Sequence, residues 1–225
     1  MLDLLLEFLP SKKQAVDLIL VIFSGIAVSA IGRFLNPQSE PGRSYLLAGW
    51  GVGCLVYTAT ATLTTINLSF AVWTLIALSV VSTVFLIYLK IRLTPPKSWR
   101  VFALAASFLT IVSAKYPSEV DVLSHWLYNA LYLLDYGNLP REGLPQSFSA
   151  YTGFPYNHTF ALHFVSVLTG GMAESAGYVI NFGLVTLFAV LLADLIHLAR
   201  TGVHNGSSSQ IGWTVAALAL ILATY

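Results

Sequence analysis

Long apolar blocks alternate with short polar ones along this chain of 225 residues. Crossing about 30 Å of hydrocarbon takes roughly 20 helical residues at about 1.5 Å each. Blocks near that length fall at about Ala15–Phe34, Tyr45–Ile66, Phe70–Leu89, Trp99–Ala114 and Gly177–Leu198, and they predict membrane-crossing helices. A further apolar block starts near Ile211 and meets the end of the chain at Tyr225 short of a full span, so more helices are expected beyond it. The opening MLDLLLEFLP is apolar, with Asp3 and Glu7 at helical spacing. It reads as an interfacial helix rather than a cleavable signal, which would carry early positive charge.

Composition agrees with that pattern. With 56% hydrophobic residues, 9% charged residues and a mean hydropathy of +0.76, the chain cannot present a water-soluble surface. The formal net charge of +1 supplies no basic field, which excludes nucleic acid as a partner. One cysteine, Cys54, excludes an intrachain disulfide and a thiolate metal cluster. The predicted fold class is therefore all-α, a polytopic transmembrane protein; a bacterial or archaeal plasma membrane is the expected location, which composition does not itself fix. Three parts are expected: an interfacial helix and four-helix bundle over 1–114, a long segment over 115–176, and further spans over 177–225.

Positive charge sets the orientation. Lys90, Arg92, Lys97 and Arg100 crowd the Pro95-Pro96 turn, and Arg33 and Arg43 flank the loop after the first span, so both loops are expected to be cytoplasmic. Lys12 and Lys13 run against this, with Asp3, Glu7 and Asp17 nearby to offset them. The segment 115–176 is then extracytoplasmic. Loops of that length are usually functional or disordered, and this one is too aromatic for disorder.

Within it, Ser118 to Tyr136 carries two faces at helical spacing. Asp121, Ser124, His125, Tyr128, Asn129, Tyr132 and Asp135 form a polar stripe, opposite Val122, Leu123, Trp126, Leu127, Ala130, Leu131 and Leu134. Gly137 and Pro140 mark the stop. The pattern predicts an interfacial helix with its stripe toward water or a cavity, bringing an acid, a histidine and an amide into one site. Ser118 to Asp121 also reads as an N-terminal cap, a role compatible with catalysis because an acid held there stays ionised. Downstream, YTGFPYNH at Tyr151–His158 opens a second short helix whose free N–H groups at Tyr156, Asn157 and His158 suit a phosphate; an aromatic belt at the membrane surface is the alternative. That helix, from His158 to Gly170, is too short to span and is expected to be interfacial or re-entrant. His163 falls off the face of His158, against a two-histidine metal site.

The acidic Glu119-Val-Asp121, then GNLP at Gly137–Pro140, then FPYNH before a short helix ending in LTG, resembles the first external loop of GT-C glycosyltransferases. The likeness covers about Tyr116 to Arg200. It departs from the family in that four spans precede the loop here, where the family usually has one. The resemblance implies a membrane enzyme moving a sugar from a polyprenyl-phosphate donor to an extracytoplasmic acceptor. Asp121 would be the key carboxylate, as general base or as ligand to a divalent metal such as Mg or Mn, with Glu119 assisting and His125 beside them. Asn129, Tyr156, Asn157 and His158 would contact substrate. Arg141 is the nearest candidate clamp on the leaving phosphate.

Two other classes stay open: a transporter or polysaccharide polymerase component, and a non-catalytic subunit that binds other membrane proteins. A transporter calls for ionisable residues or broken helices at mid-membrane. Asp17 and Asp194 lie near span ends, where a carboxylate can reach the interface, and Gly49, Gly51 and Gly53 are the only hint of a break.

Overall fold

The structure is a computed structural model that describes residues 9–37, 45–93, 99–116, 125–150, 152 and 156–202. Its helices in chain order are α1 (Lys12–Leu35), α2 (Tyr45–Leu63), α3 (Ser69–Tyr88), α4 (Trp99–Ser113), α5 (Leu127–Tyr136), α6 (Asn157–Thr169) and α7 (Ala176–Thr201). Among the described residues α1, α2 and α3 are long and apolar enough to cross a membrane. The 26 residues of α7 also have the length, whereas the 15 of α4 fall short of a straight crossing. The chain is an integral, polytopic, all-α membrane protein.

In α1 most of the buried positions, and in α3 half of them, are small or polar residues. In α3 the buried stripe is Ala71, Val72, Leu75, Ser79, Ser82 and Leu86, while Trp73, Val80, Val81, Val84 and Ile87 are exposed. That is the order expected where hydrocarbon, not water, surrounds the bundle and close packing takes the place of hydrophobic exclusion. The tightest contact joins α1 to α2. A Cβ on Gly32 would overlap the Tyr45 carbonyl and the Gly49 amide, and one on Gly49 would overlap the Val28 carbonyl. Next to this crossing Arg33 is buried, donates a hydrogen bond to the Tyr45 hydroxyl and lies 4.9 Å from the centre of that ring. Gly49 therefore brings two backbones together, and Gly49, Gly51 and Gly53 all lie within a continuous helix that they do not break.

Contacts between distant segments gather the other helix ends. Gln14 Nε2 donates to the Ala114 carbonyl (3.0 Å), Leu68 N to the Gly137 carbonyl (2.7 Å) and Ser175 Oγ to Asp17 Oδ2 (3.0 Å). The start of α1, the α2–α3 loop, the end of α4 and the segment from 125 to 176 thus share one end of the bundle. Ser11 begins α1 with a reciprocal cap, its side chain accepting from Gln14 N while Gln14 Oε1 accepts from Ser11 N.

Three expectations about short helices change. The helix expected from Ser118 is seen as a π turn at His125 and Trp126 leading into α5; residues 117–124 lie outside the described set. It ends as expected at Gly137, in the left-handed region with φ 65°. The stripe residues His125, Asn129 and Tyr132 are buried against protein and do not face water, while Tyr128 and Leu131 are exposed. Nor does α6 lie on the surface: Thr159, Phe160, Leu162, His163, Phe164, Val165 and Ser166 are buried, covering more than one face. It is embedded in the bundle, with Phe160 stacked on Tyr57 at 4.6 Å.

The crossing of α1 and α2 yields a direct test. Gly49→Ala should lower the stability of the protein in detergent by about 1–3 kcal/mol through overpacking against backbone. Gly51→Ala, where a Cβ would meet nothing within 4 Å, should be neutral or slightly stabilising. Thermal unfolding of the two variants side by side makes the comparison.

Candidate functional site

The shared end of the bundle holds the candidate site, built on the loop that Gly137 starts. Gly137 sits against the Asn67 side chain, where any Cβ would collide. Asn67 Oδ1 also accepts from Ser69 N at 2.8 Å, fixing the entry to α3. Tyr132 Oη donates to the Pro145 carbonyl at 2.8 Å, which folds the loop after Pro140 back over α5. Burial beside Tyr136 pushes the Tyr132 phenol up, and nearby Arg141 partly opposes that shift.

Arg141 is exposed and makes no ion pair among the described residues. It forms one wall of a cleft of about 470 Å³ whose other wall is Thr62, Leu63, Thr64, Thr65 and Ile66. Thr62 Oγ1 and Thr64 Oγ1 spend their protons on the Thr58 and Thr60 carbonyls at 2.7 Å, and Thr64 Oγ1 also accepts from Ile66 N. The group that suits an anionic oxygen here is the Arg141 guanidinium. The hydroxyl-rich run TATATLTT at the end of α2 was the sequence signal for this wall.

Trp126 brings the histidines of the long segment together. Its ring lies 4.8 Å from His125 and 5.4 Å from His158, the latter nearly perpendicular. His158 approaches Gly177 near the start of α7. Burial lowers the His158 imidazole to about 4, so it stays neutral at neutral pH. Tyr156, half-buried, is pushed up to about 12 by burial, with Tyr132 adding to the shift. Asn157 is exposed, but its Oδ1 accepts from His158 N at 2.7 Å and so takes one of the N–H groups that the start of α6 offers. Asn129 is buried in the α5 face turned toward the core.

His163 is fully buried, and its Nδ1 lies 3.0 Å from Tyr57 Oη. Burial drives its imidazole down to about 4, the Leu133 carbonyl partly opposing. This pair ties α6 to α2 and was not legible in the sequence, where the two residues are far apart and each is an ordinary core residue. Glu119 and Asp121 lie outside the described residues, as does the Ser118 cap. The structure thus brings His125 and His158 to one aromatic cluster and gives Arg141 a cleft of its own. Among the described residues no group of three His, Cys, Asp or Glu could hold a metal.

No family model matches this chain, and comparison with curated proteins and with solved structures gives no match.

The histidines impose a pH dependence with a definite sign. From an ordinary 6.5, both are lowered to about 4 in the folded protein. Between those values the unfolded chain takes up protons that the folded one refuses, so stability falls as pH drops through that window and is constant above it. His158→Gln should flatten part of the fall. Melting temperature against pH for wild type and variant checks this, and parallel curves would contradict it.

Proposed function

We propose that this chain is a GT-C-like glycosyltransferase, or the amino-terminal part of one, moving a sugar from a polyprenyl-phosphate donor to an acceptor outside the cytoplasm. The observation that carries the reading is Arg141, an exposed guanidinium facing threonine hydroxyls at the end of a bundle embedded in lipid. A donor whose tail lies in the bilayer presents its phosphate at that level. Exposed Leu63 and Ile66 offer apolar surface on the cleft's own wall.

In the proposed reaction the acceptor oxygen attacks the anomeric carbon, the carbon–oxygen bond to phosphate breaks, and the phosphate departs with the electron pair. Asp121, assisted by Glu119, takes the acceptor's proton. Arg141 stabilises the charge developing on phosphate. His125, Asn129, Tyr156, Asn157 and His158 do not line the Arg141 cleft, and their part in the reaction is to support the segment that carries it; His158, neutral by burial, acts through hydrogen bonding rather than charge. If a divalent ion such as Mg or Mn takes part, Asp121 and Glu119 would hold it, and it would share the charge developing on phosphate with Arg141.

In transfer of a labelled sugar from lipid donor, Asp121→Asn should reduce turnover roughly 10²–10⁴-fold with folding intact, because the amide keeps the shape but cannot take the proton. Glu119→Gln should cost less. Near-normal turnover by Asp121→Asn would retire the assignment and leave the residue as a helix cap. A second measurement concerns sidedness: cysteines introduced at the exposed positions Glu142 and Gln146 should react with an impermeant thiol reagent from outside intact cells. Reaction only after the cytoplasm is opened would invert the topology and remove the donor's route to Arg141.

A further inference from the structure

Asp17 is a carboxylate that the bundle has closed over. It lies near the start of α1, yet it is 1% exposed and turned toward the protein, not to the interface that a side chain at a span end could reach. Ser175, also 1% exposed, donates its hydroxyl to Oδ2 at 3.0 Å, while Oδ1 is buried with no hydrogen-bond partner. Ser175 stands immediately before α7, so the contact joins two segments far apart in sequence. Gln14, one turn earlier in α1, is buried too and spends its amide on the Ala114 carbonyl at the end of α4. The charged groups acting on Asp17 are Lys13, one turn earlier on α1, and Glu174, beside Ser175. Lys13 is exposed and Glu174 half-buried. Lys115, past the end of α4, is exposed.

Of the two charged groups that act on Asp17, one is an exposed ammonium and the other a second carboxylate. An ionised carboxylate taken out of water costs several kcal/mol unless a positive charge or further hydrogen bonds offset it. One serine hydroxyl satisfies only one of its oxygens. Ionisable groups enclosed among membrane helices are commonly the places where ions or protons bind.

We propose that the Asp17–Ser175 junction binds one monovalent cation, a proton or a sodium ion, at Asp17 Oδ1, and that this binding holds the start of α7 against α1. The atom that the chain leaves free for it is Oδ1, a carboxylate oxygen that can take up a proton or coordinate a hard cation. The site is independent of the glycosyl-transfer reading, since it lies on α1 and the turn before α7 and uses none of the residues assigned to donor or acceptor.

The test is thermal unfolding of the full chain in detergent at constant ionic strength, comparing wild type with Asp17→Asn, which keeps an oxygen for Ser175 but has no charge to neutralise. One arm replaces choline chloride by sodium chloride at about pH 8; the other lowers the pH in choline alone. In one arm, the melting temperature of wild type relative to Asp17→Asn should rise by several degrees. Taking that difference cancels the opposing histidine effect, which both proteins share. Ser175→Ala keeps the carboxylate, tests the site even if Asp17→Asn fails to fold, and separates the two ions. Without the serine hydrogen bond the anion is less stabilised, so a proton should bind about tenfold tighter; a sodium ion, having lost an oxygen ligand, should bind about tenfold more weakly. The proposal is overturned if wild type responds in neither arm, if Asp17→Asn responds equally, or if Ser175→Ala leaves the midpoint of the response unmoved.

Discussion

The approach of α1 to α2 at Gly32 and Gly49 is the constraint on which the bundle depends. Two backbones meet there with no side chain between them, and hydrocarbon offers no hydrophobic penalty to force helices together, so close van der Waals contact must do that work. Once α2 is locked to one end of α1, the remaining length of α1 becomes the post for everything else. It packs on α3, α4, α6 and α7 as well as α2. At its far end Gln14 reaches α4 and Asp17 reaches the start of α7. A change in the angle of the α1–α2 crossing would therefore be felt at the opposite end, where the candidate site is gathered.

The second organising feature is the burial of α6. A helix of 13 residues too short to cross the bilayer could have rested on its surface. Instead Phe160 and His163 reach Tyr57 within α2, and the helix becomes a plug in the bundle. That depth explains why histidines in it resist protonation: the low dielectric that strengthens the Tyr57–His163 hydrogen bond also penalises an imidazolium. The same plug supports α5 from beneath, leaving the loop after Gly137 free to present Arg141 over the end of α2.

The cleft at Arg141 and the junction at Asp17 sit at the same end of the molecule but differ in kind. Arg141 is open to solvent, where a charge can wait for a partner at little cost. Asp17 is enclosed, where a charge without a partner is costly. A large anion can enter only the first; the second admits at most a small ion.

The sequence by itself determined which stretches form long apolar helices, α4 excepted, since it is shorter than a span needs. The blocks at Ala15–Phe34 and Phe70–Leu89 became α1 and α3 to within a few residues, because hydrophobic length is a local property. Gly137 ended α5, because a left-handed turn needs glycine wherever the helix goes next. What only the tertiary structure decided is which face each element turns inward. His125 and Asn129 shared a polar stripe that amphipathicity directed toward water, yet in a membrane bundle polar groups are safest against other protein, and these two with Tyr132 turned to the core while Tyr128 and Asp135 stayed exposed. Gly49, in a run that hinted at a break, proved a contact, because its partner Gly32 lies on another helix. Asp17 near a span end could have reached the interface, and Ser175, distant in sequence, captured it. Each of these outcomes depends on a neighbour that no local window of sequence contains.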